Sequence, residues 1–205
     1  MKAIMKAGFL IPILFLASLA IAAQGEYIPM KDAPSEVKPF VEKDYLPLAI
    51  ESADLNGDGL QDYVVVLEKQ KAEPTDPDIE ENQRRLLILI RETGGGLKEV
   101  KRNDKIVFCS TCGGVMGDPF VGVEAGNKTF KVSHYGGSAQ RWAIEYTFNY
   151  SRKDNTWQLV RVKEEDFSAS DPNKIKTRLY TPPKDYGKID IADFDPEHWK
   201  GVGAR

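Results

Sequence analysis

The sequence predicts a mainly β protein: two four-stranded antiparallel meanders, packed as a sandwich or as two propeller-like blades, with a short N-terminal helix. Three observations predict it. From residue 46 onward apolar side chains recur with a period near two, β-branched and aromatic residues fill those runs, and Gly, Asn and Asp clusters separate them.

The chain opens with Lys2 and Lys6, an apolar run from Gly8 to Leu19, and small residues at Ala20, Ala22 and Ala23. That order predicts a cleavable signal peptide with cleavage after Ala22 or Ala23. The uncharged run from Ala7 to Gly25 is about long enough for a membrane anchor. Pro12 and the small-residue exit favour cleavage, and no cysteine stands at the exit to take a lipid. The expected organisation is therefore a signal peptide at 1–23, a β domain at 24–166, and an irregular C-terminal tail at 167–205 packed on that domain. Tyr186, Phe194 and Trp199 are available to pin the tail.

The mature part, about 182 residues, suits one core. Loss of Lys2 and Lys6 reduces the 28 basic residues to 26, against 31 acidic ones, a net charge near −5. Nucleic acid and anionic lipid need a basic field, so neither is expected as a partner. No later run is apolar for long enough to cross a membrane, so no insertion is expected after cleavage.

Residues 32–41 predict a helix of about two turns, with Asp32 placed to cap it and Pro34 tolerated in its first turn. Pro39 ends it. Strands are expected at 46–53, 63–68, 85–91 and 97–101, then at 120–124, 128–135, 140–150 and 156–163. Their turns include Gly94-Gly95-Gly96, Ala125-Gly126-Asn127 and Gly136-Gly137-Ser138. Polar residues over 69–83, with Pro74 and Pro77, predict a surface loop. The segment 102–119 joins the two sets and is too Gly-rich for a helix. A closed propeller is disfavoured, because it takes at least four blades and the expected strands supply two.

The strongest chemistry lies in Asp54-Leu-Asn56-Gly57-Asp58-Gly59-Leu60-Gln61-Asp62. Asp54, Asn56, Asp58 and Asp62 put side-chain oxygens at positions 1, 3, 5 and 9, and Gly59 at position 6 permits a sharp turn. Leu60 at position 7 offers its backbone carbonyl. Several oxygens converging on one point suit a hard cation of Ca²⁺ size. An EF-hand would need Glu at position 12, where Val65 stands, and the flank Tyr63-Val-Val-Val66 leaves as a strand rather than a helix. The competing reading is an Asx-rich turn whose side chains cap their own backbone amides. Mutual repulsion of three carboxylates favours the cation, and the incomplete donor set predicts a structural ion held on the order of 10⁻⁴ to 10⁻³ M.

This strand–loop–strand stretch from Ile50 to Leu67 resembles the integrin-type FG-GAP and VCBS repeats, whose D-x-D/N-x-D-G-x-x-D loop binds calcium. That family usually carries several copies and this chain has one. The longer run from Ser35 to Val162, including Cys109-Ser-Thr-Cys112-Gly-Gly and His134-Tyr-Gly-Gly-Ser138, is similar to uncharacterised exported bacterial proteins. The resemblance implies fold and location, not an activity.

Cys109 and Cys112 are the two cysteines, and an exported chain with an even count is expected to pair them. The four-residue loop gives a bond that rigidifies a turn. Redox use of C-x-x-C relies on a helix amino terminus, which the following glycines do not provide. A zinc site from both cysteines with His134 and His198 is disfavoured for oxidised sulfurs. His134 and Ser138 straddle a Gly-Gly turn, yet no G-x-S-x-G elbow surrounds Ser138. Trp142, Tyr146, Phe148 and Tyr150 alternate at strand spacing, which predicts packing or, if exposed, a sugar-stacking platform. Asp190, Asp193, Asp195 and Glu197 read as a solvated charge run, with completion of the calcium shell as the sharper alternative.

Together these features predict an exported, calcium-stabilised binding domain whose ligand is a protein or polysaccharide. The alternative is a cell-envelope hydrolase using His134. The two separate on whether His134 lies in a concave pocket beside a carboxylate or hydroxyl, which favours the enzyme, or on an open edge.

Overall fold

The computed structural model describes residues 27–70 and 84–199. The predicted signal peptide and nearly all of the predicted loop at 69–83 lie outside the described residues. Nine strands form two antiparallel sheets. The first contains β1 (Tyr45–Ala53), β2 (Asp62–Lys69), β3 (Arg84–Arg91) and β4 (Leu97–Asn103), in that order. The second contains β5 (Phe120–Gly126), β6 (Thr129–Gly137), β7 (Gln140–Ser151), β8 (Thr156–Ser168) and β9 (Asp171–Tyr180), also in sequence order. Both are meanders, because each strand pairs antiparallel with its sequence neighbour. No helix of the described residues is long and apolar enough to cross a membrane.

One core fills the space between the sheets. Val64, Val66, Leu86 and Ile88 from the first sheet meet Phe130, Val132, Tyr146 and Phe148 from the second. A second cluster covers the opposite face of the first sheet, where Tyr63, Val65, Leu67, Leu87 and Leu89 pack under Val37, Phe40 and Val41. Burial on both faces explains why β2 and β3 read as unbroken apolar runs rather than alternating ones. The second sheet is packed on one face only, and β6 accordingly alternates strictly between buried and half-buried positions.

The cover over the first sheet is not the expected two-turn helix. Residues 30–37 form consecutive turns that end in a single 3-10 turn, Lys38–Phe40. Pro34 and Pro39 each remove an N–H donor, and reverse-turn bonds such as Val37 N–H to Pro34 O (3.0 Å) take the place of a helical ladder. Glu36 pins this segment by accepting bonds from the Tyr63 hydroxyl (2.6 Å) and the Arg91 guanidinium (2.5 Å).

The C-terminal region departs further from expectation. β8 continues to Ser168, and the stretch expected to run irregular from Phe167 supplies β9, a fifth strand. Opposite charges face each other across this pair: Arg178 meets Glu164 at 2.9 Å and Asp166 at 2.6 Å. Beyond β9 the chain closes one side of the sandwich. Tyr186, Ile191 and Phe194 enter the core and Trp199 packs against it. Leu159 donates to Ile189 O and Ile191 donates to Trp157 O, both at 2.9 Å. The Asn103 amide at the end of β4 donates to the carbonyls of Ile191 and Phe194.

Candidate metal centre

The loop between β1 and β2 folds around its own acidic side chains. Asp54 Oδ1 accepts the N–H groups of Gly57 (2.6 Å) and Asp58 (3.1 Å), and its Oδ2 accepts that of Gly59 (3.0 Å). Asn56 Oδ1 accepts Asp58 N–H, and Asp58 Oδ1 accepts Leu60 N–H. Gly57 and Gly59 have φ of +80° and +87°, a region that side chains with a Cβ rarely occupy. At Gly57 a Cβ would also stand 1.8 Å from Lys128 Cε, since the lysine stem crosses this residue.

Asp62, at the start of β2, is fully buried. Its oxygens accept Leu55 N–H and Arg91 N–H, both at 2.9 Å. Burial raises its pKa; these two bonds oppose that rise, and the negative charges of Asp58 and Asp54 add to it. One carboxylate oxygen from each of Asp54, Asp58 and Asp62 lies within 4.8 Å of the others. Lys128 forms no ion pair with them, and none of the ion pairs among the described residues reaches these three side chains.

The loop is also fastened to the second sheet. Lys128 N–H donates to Asp54 O at 2.8 Å, and the buried Trp157 indole N–H donates to Leu55 O at 3.0 Å. Leu55 itself is a core residue. The donor set fits a hard divalent cation: three convergent carboxylates, the Asn56 amide oxygen and the Leu60 carbonyl sit on a backbone held by both sheets.

The other candidate residues are not brought to this loop. Asp190 is engaged by Lys101 (3.0 Å) and Thr156 (2.5 Å), and Asp195 by Lys105 (2.7 Å) and His198 (2.9 Å). These tail carboxylates therefore carry structural bonds and do not complete a calcium shell. Tyr146 and Phe148 are core residues, which removes the stacking platform.

His134 lies inside the protein, 1% exposed. Its ring stacks on Phe108 (centroids 4.3 Å apart), and its Nε2 accepts Phe108 N–H at 3.3 Å. Burial, reinforced by the charge of Arg84, lowers its pKa to about 3, so the imidazole is neutral. Cys109 and Cys112 form a disulfide next to Phe108. A single 3-10 turn, Gly114–Met116, follows them, not the helix that a reactive thiolate would use.

Sequence reasoning missed the buried cation beneath that loop. Arg84, 1% exposed, donates to both oxygens of Asp118, to Phe108 O (2.9 Å) and to Glu68 (3.2 Å). Its ring of partners holds both flanks of the disulfide loop. The only signal in the sequence was an arginine opening an apolar strand, and its main partner lies 34 positions away.

Comparison of the chain with family models, with curated proteins and with solved structures finds no match.

Proposed function

We propose that this chain is an exported, non-catalytic binding domain whose 54–62 loop is stabilised by calcium. The observation that carries the reading is the convergence of Asp54, Asp58 and Asp62, with no side-chain cation among the described residues paired to any of them. Bound calcium would supply the missing positive charge, and Asp54, Asn56, Asp58, Leu60 and Asp62 would hold it. The likeness of the loop to FG-GAP and VCBS repeats supports the same reading. Export is supported by the basic, apolar and small-residue order of the opening stretch and by a disulfide. A binding role, with a protein or polysaccharide ligand, is favoured over hydrolysis because His134, although it belongs to the lining of a cleft beside Ser133, Glu145 and Glu165, is 1% exposed, has its ring packed against Phe108 and Tyr146, and is held by burial far below the basicity of an ordinary imidazole.

Thermal melts of the mature protein with calcium and with chelator test the metal reading. At a calcium concentration tenfold above Kd the folded state gains about 1.4 kcal/mol, a rise of roughly 3–6 °C for a domain of this size. Asp58→Ala removes the rise. Equal responses of the two proteins would sink the proposal.

A further inference from the structure

We infer that the outward face of the second sheet binds an uncharged polysaccharide chain laid across its strands. This rests on the binding-domain reading above and names the face and the ligand class. The strand register places Ser133, Glu145, Lys163 and Leu179 in one row across β6 to β9, and Tyr135, Ala143, Glu165 and Thr177 in the next. The small side chains of Ser133 and Ala143 leave a cleft of about 200 Å³ in this face. Tyr135, Glu145, Lys163 and Glu165 line it together with the buried His134 and with Ile144, and Val121, 47% exposed, completes the lining. The Tyr135 ring is held by stacking on Phe167, with centroids 6.3 Å apart.

The charges decide the ligand class. Lys131 pairs with Glu124 (2.8 Å) and Glu145 (3.4 Å), Arg161 with Glu145 (2.6 Å), and Lys163 with Glu165 (2.7 Å). These three cations and three anions cancel, and the fourth cation of the face, Arg141, donates to Gly137 O (3.1 Å), so the net charge of +1 gives only a weak field to draw an ionic polymer. Protein interfaces are depleted of charge at their centre, whereas the centre of this face is charged. A polyhydroxyl ligand needs donors and acceptors side by side, with an aromatic ring and small apolar groups for its C–H face. Adjacent strands lie about 4.8 Å apart, close to the length of one sugar residue, so successive residues of a chain crossing the strands meet successive strands.

Cellohexaose and chitohexaose, each titrated into the ¹⁵N-labelled mature protein, test the inference. The expected result is millimolar or tighter binding of at least one, with amide shifts concentrated at Ser133, Tyr135, Ala143 and Lys163. Tyr135→Ala should weaken it at least tenfold. Ala143→Arg, which fills the cleft from an exposed face, should abolish it with the amide spectrum of the core unchanged. No shifts with either oligosaccharide at millimolar concentration would overturn the inference, as would shifts confined to another surface. Tighter binding of a sulfated glycan or an acidic peptide at the same residues would overturn the ligand class. A calcium-dependent rise in melting temperature without any glycan response defeats this inference alone, and leaves the metal reading in place.

Discussion

Two polar clusters lie against the same core, one with Asp62 buried, Asp54 half-buried and Asp58 exposed, the other around the buried Arg84, and they handle charge in opposite ways. At the β1–β2 loop, Asp54, Asp58 and Asp62 converge with backbone N–H groups as their main partners and no paired cation among the described residues. Under the disulfide loop, Glu68 and Asp118 meet a guanidinium from Arg84 that the fold itself supplies. The difference teaches which site has room for a ligand ion. A cluster that carries its own cation is closed, whereas a cluster of like charges leaves the place that the proposed calcium would fill.

The largest effect expected from this contrast is at Arg84. Arg84→Met leaves Glu68 and Asp118 partly buried without a counter-charge, and urea unfolding should show a loss of about 3–5 kcal/mol. The loss should be the same with calcium and with chelator, and a loss that calcium reverses would mean that the two clusters are one system.

Acid should act next. His134 has a folded pKa of about 3 against an ordinary 6.5. The unfolded chain takes up its proton first, so this contribution to stability is complete above pH 6.5 and is lost as pH falls toward 3. At pH 4.5 the loss is about 2–3 kcal/mol. The slope between pH 6.5 and 4.5 should flatten in His134→Gln, and an unchanged slope would assign the acid sensitivity to other groups.

The disulfide should matter less than its place in the chain suggests. Chain entropy for its short loop amounts to about 2 kcal/mol, and Arg84 already holds Phe108 and Asp118 on either side. A double Cys109→Ser, Cys112→Ser protein should therefore lose no more than that by urea unfolding. A larger loss would show that the Arg84 clamp depends on the bond.

The smallest effect sharpens the other half of the comparison. Asp62 has a raised pKa, so its ionisation costs stability as pH climbs through that value, and a cation offsets the cost. Calcium should add about 1–2 kcal/mol at pH 7 and clearly less at pH 4. Equal gains at both values would place the ion away from these carboxylates.

Legibility followed sequence distance. The strands of the first sheet were readable to within a residue or two, because Val64 to Leu67 and Leu86 to Ile90 are apolar without interruption. The acidic loop was readable because all its donors lie within nine positions. β9 was not, since Ile175 and Leu179, which alternate with Lys174, Lys176 and Arg178, are exposed rather than core-facing, and its partner charges sit on β8. Neither was Arg84, whose carboxylates come from two other segments, nor the burial of His134, which depends on Phe108 folding over it.

By itself the sequence determined the β class, the turn positions, the cysteine pair and the set of oxygens offered by the 54–62 loop. Each follows from side-chain period or from chemistry confined to a few neighbouring residues. Only the tertiary structure decided which tail residues join a sheet, which histidine is shut away and which face of the second sheet stays open. Those outcomes depend on what packs against what, and packing joins residues that the chain keeps far apart.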